Sequence, residues 1–296
     1  MAALPPRIGI IGGSGLGQAL TQTTTGTEHT IDTPFGDPSG PVITSEINSV
    51  PIAFIARHGR GHMLNPSVVP YRANIHALKQ LGVTHIIASG ACGSLQQQIE
   101  PRHLVIPDQV IDKTFKRDNS FFDGHLAVHV DFAYPFCRQL RELLLSAADT
   151  VNTTVHDTGT YVCMEGPQFS TRAESLLHQS WGAHLIGMTV MPEAKLAREA
   201  EICYALVALP TDYDCWREHS GSTDKHSLMT EIIGNLNDAT ENAIRLISAA
   251  VSKAAPLLEK TCQHHRALEL AIWSDKQCIT DPTFNKLQLL IGKYVL

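Results

Sequence analysis

Short apolar runs rich in β-branched residues alternate with longer stretches of helical spacing along the chain, and this alternation most limits how the chain can fold. The runs RIGIIGG, VPIAFIARHG, VTHIIASGACGS, RHLVIPDQVID, GTYVCME, AHLIGMTVMPE and EICYALVALPTD read as strands. Most lack a polar face, as strands covered on both sides must. Between them, YRANIHALKQLG, YPFCRQLRELLLSAAD, STRAESLLHQSWG and MPEAKLAREAE carry apolar residues at helical spacing. Gly82 stops the first of these helices, Ser170 caps the third and Pro192 opens the fourth. A long amphipathic helix begins near Ser227 and closes or kinks at Pro256. The pattern predicts a single α/β domain over residues 1–296, with a central mixed, mostly parallel sheet flanked by helices. From about Cys262 a helical tail, ending in FNKLQLLIGKYVL, packs on this domain or on a neighbour.

At 296 residues and 43% hydrophobic, the chain can bury one large core. Charged residues make up only 18%, which suggests surface hidden in an oligomer. A net charge of −6 argues against a nucleic-acid partner, and any small anion would need local donors. The seven cysteines are odd in number, scattered and without a CxxC pair. They read as reduced thiols of a cytoplasmic protein, not as a disulfide framework or a zinc site. The start lacks a cationic leader, and no apolar stretch reaches membrane-spanning length, so no membrane partner is expected and the sequon at Asn152 is idle.

Ligands of open α/β sheets gather beyond the carboxyl ends of the strands, so the residues there carry the argument. After the first strand come Gly12, Gly13, Ser14 and Gly15, where backbone amides and a hydroxyl could approach an anion. Gln18 breaks a GxGxxG pattern, and an ordinary tight turn would use the same glycines. In ARHGRGH, Arg57 offers a planar fork suited to phosphate and His58 a second donor, although a solvated basic loop would look alike. Gly90 and Ala91 could lend unobstructed amides, or simply allow close packing. Phe169, before a helix, is either a core staple or a flat wall for a ligand. Met188 and Thr189 end another apolar run.

The stretch LPTDYDCWREH is the most pointed of these ends. A buried strand delivers Asp212 and Asp214, two residues apart and hence on one side of an extended chain. Such pairs are common in surface loops. Set beside each other in a site, one carboxyl can hold a proton while the other accepts. That pattern suits the N7/N6 edge of a 6-aminopurine, where N7 accepts and N6 donates. An amide at the same place would suit a 6-oxopurine.

Taken together, GIIGGSGL, ARHGRGH, ACGSL, EGPQFSTRAES, MTVMPEAKLAREAEICYA and TDYDCWREH closely resemble the S-methyl-5′-thioadenosine phosphorylases of the trimeric purine nucleoside phosphorylase family. The likeness runs from about Ile8 to Leu246. It implies a nucleoside phosphorylase-like fold and phosphorolysis of 5′-methylthioadenosine to adenine and 5-methylthioribose 1-phosphate. Related alternatives are phosphorylases acting on adenosine, or on inosine, guanosine or methylthioinosine. The resemblance makes Ser14, Arg57, His58, Gly90, Ala91 and Thr189 the phosphate-binding set. It makes Met188 the ribose floor, Phe169 the wall against the base, Asp212 the general acid at N7 and Asp214 its partner at N6. Leu228 would line the 5′ pocket, and His129 would reach into an adjacent subunit's site, in a homotrimer or a dimer of trimers. No cofactor and no metal is implied, phosphate being a co-substrate. Three departures stand out. Ser14 and Gly90 replace threonines common among relatives, with Ser89 a possible substitute hydroxyl, and Lys225 and His226 enter a segment that is more apolar elsewhere.

Overall fold

The computed structural model describes residues 4–14, 16, 25–217 and 225–295. Among them the strands are β1 Arg7–Gly12, β2 Thr27–His29, β3 Val42–Ile47, β4 Val50–Ala56, β5 Val83–Ser94, β6 Leu104–Val105, β7 Gln109–Lys113, β8 Val155–His156, β9 Thr160–Met164, β10 Leu185–Gly187 and β11 Cys203–Tyr213. The α-helices are α1 Tyr71–Gln80, α2 Arg138–Leu145, α3 Arg172–Ser180, α4 Val190–Glu199, α5 Lys225–Ser252, α6 Ala255–Leu258 and α7 Asp281–Val295.

The strands that read as unbroken apolar runs form the centre of the sheet. β4, β1, β5 and β11 lie side by side and parallel. In β11 every residue from Cys203 to Leu209 is buried, because both faces are covered. Ile8, Ile10, Ala205, Val207 and Leu209 pack on one side with Leu140 and Leu144 of α2 and Ala243, Leu246 and Ile247 of α5. Ile11, Tyr204, Leu206 and Ala208 face the other side, against Ile75 and Leu78 of α1 and Leu196 of α4. Alternate residues of one strand thus enter opposite cores, giving three layers. Leu287, Leu290 and Ile291 of α7 join the second core, so the tail packs on its own sheet. None of the described helices is long and apolar enough to cross a membrane.

Several local expectations are corrected. RHLVIPDQVID is two strands, β6 and β7, because Pro107 has no amide hydrogen for a ladder. Thr171, not Ser170, caps α3, in a reciprocal capping box with Glu174. The long helix ends at Ser252, and Pro256 sits in the first turn of a separate α6. The antiparallel pair β2–β3, extending the β4 edge, carries Thr44, Ser45 and Glu46 and gave too weak an apolar signal to be read.

Among the described residues five histidines are buried, His58, His76, His85, His178 and His264. Burial is the main cause that lowers His58, His76, His85 and His264 from 6.5 to about 4, with Arg57, Lys79 and Arg198 as positive neighbours of His58, His76 and His264. On unfolding each ring regains its ordinary value, so the unfolded chain binds more protons between about pH 6.5 and 4. Glu199, raised to about 7 by burial, acts in the opposite sense as a single group. Stability is therefore expected to be full above about pH 6.5 and to fall as pH drops towards 4. Urea midpoints between about pH 6.5 and 5, where ordinary carboxylates stay ionised, report this directly. A flat series would contradict neutral burial of the rings.

Candidate active site

A gap in the pairing of β5 creates the site. β1 follows β5 as far as Ile11–Ala88 and then leaves it, while β10 takes the same edge only at Gly93 and Ser94. Among the described residues, 89–92 have no ladder partner on that edge, although β11 pairs with them on the other. A cavity of about 340 Å³ opens there. Its lining includes Ser14, Arg57, His58, Gly90, Ala91, Phe169, Met188, Thr189, Asp212 and Asp214, drawn from strand ends far apart in sequence. A cavity this size, with a few convergent polar groups, is of the kind that holds a small organic ligand.

At one end of the cavity Arg57 and His58 are arranged differently from the sequence expectation. Arg57 follows β4 and is fully buried. It does not present a free fork. Its Nε and Nη2 donate to Glu193 at 2.7 and 2.8 Å, and its Nη1 donates to the Ser89 carbonyl at 2.8 Å. Burial opposes the charge, but Glu193 more than offsets this and holds the guanidinium protonated. Of its five N–H groups, three are spent on protein. His58 donates from Nδ1 to the Leu64 carbonyl at 2.8 Å, and burial and Arg57 keep the ring neutral. Its Nε2 is then an acceptor, not the second donor expected, and an anion arriving there must bring a proton or recharge the ring. His62 stacks on His58 with centroids 4.1 Å apart and also lines the cavity, whereas Arg60 is exposed and off the lining.

Small residues complete this end. A Cβ added at Gly90 would come 3.5 Å from the Thr189 hydroxyl, so Gly90 and Thr189 are neighbours. Ser89 does not replace a missing hydroxyl: its Oγ accepts from the Gly13 amide and it is absent from the lining. A Cβ at Gly13 would strike the Ser89 carbonyl at 2.6 Å and Arg57 at 2.7 Å, a close approach that requires glycine. Gly15 lies outside the described residues.

The acids sit where the pairing of β11 with β5 shifts register between Pro210 and Asp212. Bulges of this kind re-aim side chains beside sites. Asp212 is half-buried and accepts from the Thr211 hydroxyl at 2.9 Å. The Asp214 amide donates to the Ser94 carbonyl at 3.0 Å, and the Trp216 indole donates to the same oxygen at 2.8 Å. These bonds explain the tryptophan directly after the acids, since it pins the turn that carries them. Among the described residues Asp214 Oδ2, which is buried, has no hydrogen-bond partner. A buried acceptor left open on a cavity wall is positioned to receive a donor from a ligand.

Phe169 is 81% exposed at the mouth, and Met188 packs against Gly166. Ile232 and Leu236 of α5 close another side. Two candidate residues lie off this lining. Leu228 is half-buried one turn before Ile232 on the same helix stripe. His129 is exposed, with its ring against Trp273 at 4.8 Å, in a separate cleft with Arg198, His264 and Leu270. His226 is exposed and off the lining, while residues 218–224 and the Lys225 side chain lie outside the described set.

The main supports of the site escaped sequence reading. Glu193, 1% exposed, also accepts from the Tyr204 hydroxyl at 2.8 Å, yet in MPEAKLAREAE it passes for a surface acid. The usable signal was Arg57 itself, since a buried guanidinium needs a carboxylate. Glu165, directly after β9, holds neighbouring segments together. Burial works against its ionisation, but bonds from Ser67, the Phe115 and Lys116 amides and Arg117 win and lower it to about 2. Arg117 in turn donates to the carbonyls of Met188 and Met191, fixing the backbone under the cavity.

The description of the matching family is the phosphorylase superfamily, over residues 7–252. S-methyl-5′-thioadenosine phosphorylases from Synechocystis and Cereibacter sphaeroides are 49% and 48% identical to this chain. Those matches cover 97% of this chain, and 87% and 97% of the relatives. A crystal structure of a methylthioadenosine phosphorylase from an antarctic soil metagenomic library has a TM-score of 0.88 at 44% identity, covering 98% of this chain and 99% of that one. The methylthioadenosine phosphorylase from Schistosoma mansoni in complex with adenine has a TM-score of 0.82 at 32% identity, covering 90% and 99%.

Proposed function

The chain belongs to the phosphorylase superfamily, and from that premise we propose that it cleaves 5′-methylthioadenosine with phosphate, giving adenine and 5-methylthioribose 1-phosphate. The observation that carries this reading is one cavity holding both Asp212 with Asp214 and the unpaired edge of β5. Asp212 donates a proton to the purine N7 as the glycosidic bond stretches, making adenine a competent leaving group. Asp214 Oδ2, open and buried, accepts from the 6-amino group. Phosphate sits against Ser14, Thr189, the amides of Gly90 and Ala91 and the remaining N–H groups of Arg57. From there it stabilises the oxocarbenium-like sugar and attacks its anomeric carbon. Met188 floors the ribose and Phe169 flanks the base.

Ile232 and Leu236 make the remaining wall apolar, which favours a methylthio group over a 5′-hydroxyl. The exposure of His129, beside Leu270 and Trp273, supports a role for it in the site of another copy. The reading therefore includes a trimer, or a dimer of trimers, with shared sites, acting in nucleoside salvage in the cytoplasm.

The test is base release from methylthioadenosine, adenosine and inosine, each with and without phosphate. Release is expected only with phosphate, fastest from methylthioadenosine and slowest from inosine. Undiminished release without phosphate would make the protein a nucleosidase. A preference for inosine would overturn the assignment of the acids, and binding without release would leave a sensing module.

A further inference from the structure

The amino end of β11, opposite the catalytic cavity, carries a second cluster of reactive groups. Cys203 opens this strand, Cys137 immediately precedes α2, and Cys262 and His264 begin the tail. All four are buried, and their ligand atoms lie within 4.8 Å of one another. The Sγ atoms of Cys137 and Cys262 are 3.7 Å apart. Two thiolates on a tetrahedral zinc, each about 2.3 Å from the metal, stand about 3.8 Å apart. A disulfide would bring them to about 2.05 Å. The backbone holds the ligands in place: the Cys137 amide donates to the Tyr204 carbonyl at 2.8 Å, and the His265 amide donates to the Cys262 carbonyl at 3.0 Å.

We propose that Cys137, Cys203, Cys262 and His264 bind one zinc ion, which fastens the C-terminal tail to the central sheet. Three thiols release three protons on binding, and zinc undergoes no redox change, so no oxidant or reductant is needed. Zinc with three thiolates and a neutral imidazole carries one negative charge. Arg198, buried and within electrostatic reach of all three sulfurs, supplies the opposite charge. It donates to His264 Nε2 at 3.0 Å, so that nitrogen carries a free lone pair, the form in which imidazole ligates metals. Metal on His264 replaces this bond, while Arg198 retains its bonds to the carbonyls of Asp131 and Tyr134. His265, whose Nε2 lies 3.5 Å from Cys203 Sγ and 3.2 Å from the Thr84 carbonyl, belongs to the outer shell. A cleft of about 280 Å³ lined by Asp131, Arg198 and His264 offers the way in. Sequence spacing hid the site, because the fold alone brings positions 137, 203 and 262 together.

Elemental analysis of the full chain, purified without chelator and dialysed against zinc, is expected to give about one zinc per chain. Cobalt(II) added to the metal-free protein should show thiolate charge-transfer and tetrahedral d–d bands. Cys262→Ser should lose the zinc and both bands, while Cys278→Ser, at an exposed thiol, keeps them. If Cys262→Ser does not fold, the wild-type cobalt spectrum decides alone. Absence of stoichiometric zinc and of cobalt bands in the reduced wild type would overturn the proposal. So would a Cys137–Cys262 disulfide found by mass spectrometry in protein prepared with zinc present. Neither readout depends on the catalytic assignment.

Discussion

Asp212→Asn is expected to slow adenine release from methylthioadenosine by roughly 100- to 10,000-fold, the range for removing a positioned proton donor. The amide keeps the volume of the carboxyl and can hydrogen-bond N7, but it has no proton to transfer. Much of the loss should therefore appear in kcat, with a smaller change in KM. Because an amide suits a 6-oxopurine, the ratio of inosine to methylthioadenosine turnover should rise in the same variant. Steady-state rates on both substrates at saturating phosphate measure this. Undiminished kcat in the Asn variant would remove Asp212 from the chemistry.

The second large effect is on stability. Glu193→Ala strips the carboxylate from a fully buried Arg57 and leaves the Tyr204 hydroxyl without its acceptor. Breaking a buried pair on one side typically costs about 3–5 kcal/mol, because a charge remains without compensation. Urea unfolding should show a lower midpoint with little change in slope. Joining Arg57→Met to Glu193→Leu should restore much of the stability, since an apolar pair of similar bulk removes both charges. The same double variant should still bind phosphate poorly, which separates folding from function. Equal midpoints for wild type and Glu193→Ala would mean that the pair carries no such burden.

What could be read from sequence follows from how much of the information is local. β1, β4, β5, β9 and β11 announce themselves because strands covered on both faces must be continuously apolar. β2 and β8 do not, being two or three residues long, nor does β3, which is partly polar. The cavity-facing residues were legible because glycines, Arg57, Asp212 and Asp214 are unusual at strand ends. Their partners were not. Glu193 is 136 residues from Arg57, and no spacing rule connects them. His58 was recognised but given the wrong polarity, since its tautomer depends on the Leu64 carbonyl in the loop that follows. Lone residues within patterns can be seen, whereas contacts between patterns need the fold.

The interrupted edge of β5 also bears on how the protein can be probed. Gly90 has no side chain to truncate, and Ala91 is already alanine, so a conventional alanine survey passes over these two positions in silence. Replacing single peptide links by esters, which delete one N–H each, would interrogate it instead. By the same logic random mutation can retune the wall made by Ile232 and Leu236 far more readily than it can remove the amides of Gly90 and Ala91, since those belong to the main chain.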